Sequence, residues 1–220
     1  MTLIIGEIET RAILPVPGVV WRSCRFRPGD AEWLDHLSAE GRVRLDLPAD
    51  LRAAVPKRRG EYLAGRLCAA LALRALGAPE DVGRAGRAPV WPPGIAGSIS
   101  HCDGRAMAVA SRGLPALGLD CEPLMTPRTA AEIGHLLLTD RDRAQCPADW
   151  DEARFCTLAF SVKEAVYKAL SATLPDIPDF REAWVAELRG ADMVIGFRGR
   201  HVPVFHAWDG DDCVTLAVPR

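Results

Sequence analysis

No two of the seven cysteines, at positions 24, 68, 102, 121, 146, 156 and 213, stand in a CxxC or any other metal-ligand spacing. A cysteine-based metal site is therefore not written into the chain. Scattered cysteines in an odd number suit small buried thiols in a reducing compartment. The sequence has no apolar run of membrane-spanning length. Its start, MTLIIGEIETRAIL, carries acids where a signal peptide needs a basic segment followed by an apolar core. The expected location is the cytoplasm, with no membrane span. An excess of positive charge is also missing: 27 Lys and Arg stand against 29 Asp and Glu, a net charge of -2. With no aromatic stacking motif beside the basic residues, a nucleic-acid partner is not expected.

What is present is enough apolar material, 49% of 220 residues, for one large domain or two small ones. VVWRSCRF, ending at Phe26, alternates as a strand does. Asp30 to Leu37 reads as a short helix opened by an Asp cap. Residues 56–76 begin with Pro56 and stop before Gly77, which predicts a helix. From Leu63 onward that helix is apolar all round, so it should be buried. A Gly/Pro/Arg-rich loop follows, and then IAGSISHC-DG-RAMAVASR, whose Asp103-Gly104 pair predicts a hairpin. PALGLDCE (115–122) is strand-like, Thr126-Pro127 opens a helix, and 151–171 forms another with Phe155, Leu158, Ala159, Val162, Val166 and Leu170 on one stripe. Four strand-like runs close the chain, with a turn at Asp209-Gly210. Each half thus mixes a long helix with mainly antiparallel strands. The fold class is α+β, and the break between halves falls at Ser111–Pro115, giving domains 1–113 and 114–220. The halves share no literal repeat.

Two clusters carry chemistry. In Gly118-Leu119-Asp120-Cys121-Glu122, strand alternation puts Asp120 and Glu122 on one face, with Cα atoms roughly 6.5–7 Å apart. That spread suits two oxygens of one hard cation, and it equally describes a solvated strand end. In FSVKEAVYK, Glu164 and Lys168 face away from the apolar stripe and Lys163 lies on its flank. Alone they form an ordinary i,i+4 pair, worth a few tenths of a kcal/mol. Brought to the acidic strand, a third carboxylate and two ammoniums would complete a magnesium–pyrophosphate site. On the first long helix, Arg59 and Arg66 are seven residues apart and share a face. Arg66 sits where the helix has become apolar, so its guanidinium needs an anionic partner, either a structural carboxylate or a phosphate. Arg58 and Lys57 stand beside them. Arg87 lies in the loop before Trp91-Pro92-Pro93, and Ser100-His101 ends a strand.

The order KRRGEYLAGR, GRAPVWPPGIAGSISHC, GLDCE, FSVKEAVYKAL resembles the Sfp-like 4'-phosphopantetheinyl transferases, within them the branch typified by enterobactin synthetase component D. The match runs from about residue 56 to 170. The resemblance implies two similar α+β halves in a pseudo-twofold arrangement, with coenzyme A in the cleft between them. It implies Asp120, Glu122 and Glu164 as ligands of Mg²⁺, with Mn²⁺ as a substitute. Lys163 and Lys168 then fall near the pyrophosphate. Ser100, His101, Arg58, Arg59 and Arg66 fall near the 3'-phosphate, and Arg87 beside the adenine. Many members carry Trp at the position of Phe160 and a β-branched residue at that of Cys121, but neither departure removes a charge.

The implied reaction moves the phosphopantetheine arm to a serine of an apo carrier domain of a peptide or polyketide synthetase, such as one making a siderophore. Adenosine 3',5'-bisphosphate is released, Glu122 or Glu164 acts as base, and Lys168 stabilises phosphoryl oxygens. A monomer is expected, since both halves lie in one chain. The alternative is a non-catalytic coenzyme A-binding scaffold protein of a synthetase complex.

Overall fold

The computed structural model describes residues 3–176 and 178–220. The chain divides into two compact units, Met1–Gly113 and Leu114–Arg220, each a helix laid on an antiparallel sheet. The α+β class expected from the sequence is the class observed.

The first unit contains β1 (Ile4–Glu9), β2 (Val20–Arg27), β3 (Trp33–Ser38), β4 (Gly41–Asp46), α1 (Pro56–Ala75), β5 (Gly83–Ala85), β6 (Ala88–Val90), β7 (Ala96–Cys102) and β8 (Arg105–Ser111). Its main sheet has the order β1-β2-β8-β7, and α1 packs over β8 and β2. Pro56 starts the helix after an extended Val55, because a missing N–H is harmless in a first turn. Every residue from Leu63 to Leu73 is buried, as an all-round apolar surface requires. Leu63, Leu67 and Leu71 join Phe26, Val43 and Leu47 in one core. Asp103 and Gly104 both take positive φ, 36° and 71°, the pair of left-handed residues that a tight hairpin with the right strand twist needs.

One element differs from expectation. The segment Asp30 to Leu37 is not a helix. Its last part is β3, paired antiparallel with β4 from Trp33↔Asp46 to Ser38↔Gly41. Two physical causes are visible. The Asp30 carboxylate is engaged by the Arg59 guanidinium and caps nothing. Gly41, at φ 108°, closes the turn that lets Leu34 and Val43 reach the core as strand neighbours.

The second unit contains β9 (Gly118–Pro123), α2 (Pro127–Leu137), α3 (Asp140–Arg143), α4 (Glu152–Leu170), β10 (Ala183–Arg189), β11 (Asp192–Phe197), β12 (Arg200–Asp209) and β13 (Asp212–Ala217). The sheet order is β10-β11-β12-β13-β9. Three hairpins build the first four strands, and β9 adds at the edge beside β13. The Thr126 hydroxyl accepts the Thr129 N–H to cap α2, and the Asp151 carboxylate accepts the Arg154 N–H to cap α4. The stripe Phe155, Leu158, Ala159, Val162, Val166 and Leu170 is buried against the sheet.

Helix α4 lies unusually close to β9. A Cβ placed on Gly118 would stand 1.8 Å from the Ala165 carbonyl oxygen and 2.7 Å from the Ala169 nitrogen. Backbone meets backbone there, so no side-chain rotation relieves the clash. Gly118→Ala should lower unfolding free energy by about 1–3 kcal/mol or more. Gly113→Ala, where a Cβ meets nothing within 4 Å, should stay within about 0.5 kcal/mol of wild type. Urea denaturation of the two variants checks this.

Candidate functional site

In the second unit the strand–helix contact brings Asp120 of β9 onto α4. Asp120 is 3% exposed, yet both its oxygens are engaged by α4. The Lys168 ammonium donates to Oδ1 at 2.6 Å, and the Ser161 hydroxyl donates to Oδ2 at 2.9 Å. Lys168 also donates to the Leu119 carbonyl at 3.1 Å, so one ammonium ties β9 to the helix. Thr215 stands opposite Asp120 in the β13–β9 register, and its hydroxyl donates to the Ser161 carbonyl at 3.0 Å.

Glu122 lies two residues further on the same strand face, half-buried, opposite Cys213. Burial first, and then the charges of Asp120 and Glu122, push the Cys213 thiol up, so it remains a neutral packing group. Glu164 lies on α4 one turn from both Ser161 and Lys168. Burial pushes its carboxyl above the ordinary 4.5, Lys168 draws it back down, and the negative charge of Asp120 pushes it up again. Asp120 and Glu164 therefore feel each other directly. Their oxygens are hard donors of the kind divalent cations such as Mg²⁺ take.

Lys163 does not join them. Its side chain is wholly buried, and its ammonium donates to Asp142 at 3.1 Å and to the Leu137 carbonyl at 2.8 Å. Asp142 is itself fully buried and also accepts from the Thr139 N–H, the Thr139 hydroxyl and the Val185 N–H, each at 2.7 Å. At about 100° per residue around the helix, Lys163 and its neighbour Glu164 cannot point the same way. The expected place of Lys163 beside a pyrophosphate is corrected to a buried ion pair joining α2, α3, α4 and β10.

In the first unit, α1, β7 and the β5–β6 hairpin enclose a hollow of about 710 Å³. Arg58, Arg66, Arg84, Arg87 and His101 line it, with Asp50 and Glu61 as the only acids among its lining residues. Arg58 Nη1 lies 3.2 Å from His101 Nε2. Arg84 pairs with Asp50 at 2.5 Å. Arg66 lies over the Tyr62 ring, 5.1 Å from its centroid, and donates to the Val82 and Gly83 carbonyls. Backbone dipoles thus stand where a structural carboxylate was one of its two expected partners. Burial lowers its pKa from the ordinary 12.5, and it remains a cation on the hollow's wall.

Two expected members are elsewhere. The Arg59 guanidinium is committed to Asp30, outside the hollow's lining. Ser100 is 4% exposed and, by strand alternation, points to the face opposite Ile99 and His101. Sequence reading missed Asp50, Glu61, Tyr62 and Arg84 in the hollow and Ser161 beside Asp120. Spacing held a signal for two of them: Glu61 follows Arg58 by three residues, and Ser161 precedes Glu164 by three, each one turn along a shared face.

The 4'-phosphopantetheinyl transferase superfamily matches residues 116–212, and the 4'-phosphopantetheinyl transferase N-terminal domain matches 47–111. Enterobactin synthase component D of Escherichia coli O157:H7 is 36% identical over 170 residues, covering 73% of this chain and 75% of that protein. The chain belongs to the 4'-phosphopantetheinyl transferase superfamily. Enterobactin synthase component D of Salmonella typhimurium is 39% identical over 165 residues, 74% of this chain, and the match spans 64% of that protein's length. The 4'-phosphopantetheinyl transferase Npt of Nocardia iowensis is 38% identical over 140 residues, 57% of this chain and 62% of its own. The superfamily match contains the whole acidic cluster, and the N-terminal-domain match contains the whole lining of the cationic hollow.

Two outcomes separate the roles of neighbouring side chains. Lys163→Met leaves Asp142 as an uncompensated buried charge and should cost about 3–5 kcal/mol in urea denaturation. Lys168→Met also removes the ammonium from a buried carboxylate, but the pair is 33% and 4% exposed rather than wholly buried and Asp120 keeps the Ser161 hydroxyl, so it should cost less than Lys163→Met. Glu164→Gln should make the protein more stable at pH 7 to 8, because the folded-state carboxyl titrates above its unfolded value and its ionised form is disfavoured on folding. That gain should fade as pH falls through the raised value and vanish below about 4.5. Thermal melts of both proteins across pH 4 to 8 check the sign.

Proposed function

We propose that this protein transfers the 4'-phosphopantetheine moiety of coenzyme A to a serine of an apo carrier protein. Superfamily membership supports the reading, and the observation that carries it is the contact of Asp120 with Lys168 where α4 meets β9, with Glu164 close enough to feel both charges and Glu122 on the same face of the strand. Three carboxylates and one ammonium leave an excess of negative charge, which suits Mg²⁺. The fit is physical: Glu164 is held above its ordinary pKa by burial and by Asp120, a penalty that a divalent cation removes. Asp120, Glu122 and Glu164 would be the ligands. Bound there, Mg²⁺ would offset the charge that develops on the pyrophosphate as the bond breaks.

The chain's own groups supply the rest. The carrier serine oxygen attacks the β-phosphorus of coenzyme A, a new P–O bond forms, and the bond to the α-phosphate oxygen breaks. Adenosine 3',5'-bisphosphate departs with the electron pair. Glu122 or Glu164 takes the serine proton. Lys168 fixes Asp120 against α4 and places positive charge beside the phosphoryl oxygens. Arg58, Arg66, Arg87 and His101, in the hollow, meet the 3'-phosphate and the adenine. Arg59, committed to Asp30, and Ser100, on the opposite face of β7, would act from outside that lining.

The relatives named for enterobactin synthesis favour a peptide-synthetase carrier as acceptor, as in siderophore assembly, and a cytoplasmic monomer suits that task. The test is intact-mass spectrometry of an apo peptidyl carrier domain incubated with coenzyme A, Mg²⁺ and the protein. The expected result is a gain of one phosphopantetheine, abolished by EDTA and reduced at least 100-fold in Asp120→Ala and Glu164→Ala. Coenzyme A binding without any mass gain on peptidyl, aryl and acyl carriers would replace this reading with that of a non-catalytic scaffold.

A further inference from the structure

In the cationic hollow, one carboxylate sits where it weakens the very site it belongs to. Glu61 Oε2 lies 3.5 Å from Arg58 Nη1 and 3.7 Å from His101 Nε2. Its side chain is 13% exposed, against 41% for Arg58 and 35% for His101. Glu61 therefore forms the floor under two nitrogens that stand only 3.2 Å apart. Asp50, the other acid of the hollow, has a side chain 60% exposed on Arg84, where solvent screens it and the chain can swing away. Glu61 has no such freedom, because it is set one turn from Arg58 on a helix that is buried from Leu63 to Leu73.

We propose that Glu61 is a built-in counter-charge that positions Arg58 and His101 and limits how tightly the hollow holds a phosphate monoester. This rests on the reading of the hollow as the seat of the 3'-phosphate of coenzyme A. That phosphate is remote from the bond that breaks and is identical in substrate and in released adenosine 3',5'-bisphosphate. Tight binding there is uniform binding, which lowers KM without raising kcat. It also slows departure of the nucleotide product. A fixed anion beneath the two donors offsets part of their charge before any phosphate arrives, so both substrate and product are held less firmly. Specificity for the 3'-phosphate is kept by donor geometry while affinity is held down by Glu61.

The test is calorimetric binding of adenosine 3',5'-bisphosphate and of adenosine 5'-monophosphate to wild type, Glu61→Gln and Asp50→Asn at one fixed ionic strength. Glu61→Gln should bind the bisphosphate about five- to tenfold more tightly, and the bisphosphate-to-monophosphate affinity ratio should rise by a similar factor. Asp50→Asn should shift that ratio less than twofold. Glu61→Asp, which keeps the charge but withdraws it by one methylene, should fall between wild type and Glu61→Gln, and it serves if Glu61→Gln does not fold. An equal change for both nucleotides, or weaker bisphosphate binding by Glu61→Gln, would overturn the proposal and leave Glu61 a structural residue. Failure of wild type to prefer the bisphosphate would overturn it as well. Because the readout is nucleotide binding, a protein that behaves as proposed here yet modifies no carrier would refute the transferase reading alone.

Discussion

The second unit turns on a single buried ion pair. Lys163 and Asp142 are both withdrawn from water, and such a pair is tolerated only when the remaining hydrogen-bonding capacity is satisfied. Here it is: Asp142 gathers three further donors from Thr139 and Val185, and Lys163 adds the Leu137 carbonyl. The consequence is geometric. With Lys163 pinned inward, the rotation of α4 about its axis is fixed, and Glu164 one residue later is carried about 100° around to the side that meets β9. The close approach of α4 to Gly118 fixes its height above the same strand. Rotation and height together place Ser161, Glu164 and Lys168 against Asp120.

The two clusters solve opposite electrostatic problems. At the α4–β9 contact, Asp120 takes the Lys168 ammonium while Glu164 stands half-buried on the same helix, and burial first, then the charge of Asp120, disfavours its ionised form. In the hollow of the first unit, four guanidiniums and a histidine face two carboxylates, so the local charge is positive until an anion arrives. Each imbalance lies within its own unit, where a ligand of opposite charge would offset it.

How far the sequence could be read depended on where each side chain's partner lay in the chain. Helices α1 and α4 were legible because their apolar surfaces and caps are local, and the Asp103-Gly104 turn because two adjacent residues decide it. The segment at Asp30 was misread because its Asp has the look of a cap while its true partner, Arg59, is 29 residues away. Lys163 was misread for the same reason. A lysine beside a glutamate on a helix flank looks solvated, and nothing nearby reveals a buried Asp142 supplied by a short helix that the sequence does not announce. Arg66 was the intermediate case. Its burial was legible from the apolar helix around it, but its acceptors, two consecutive backbone carbonyls, leave no trace in residue identity.

Phe160 shows the same division between packing and chemistry at one position of the motif. Its ring stacks on Phe180 at 5.1 Å between centroids with 25° between planes, and Tyr167 packs against both Phe180 and Phe197. Phe160 thus takes part in an aromatic cluster with Phe180 and Tyr167, while the polar stripe of Ser161, Glu164 and Lys168 is turned toward β9. A larger or smaller aromatic at 160 changes how α4 is gripped and leaves the charges facing Asp120 as they are. The same holds for Cys121, which sits between the two acids in sequence but points to the opposite face of the strand. Where this chain departs from the family pattern, the departures fall on the gripping face and on the far side of β9.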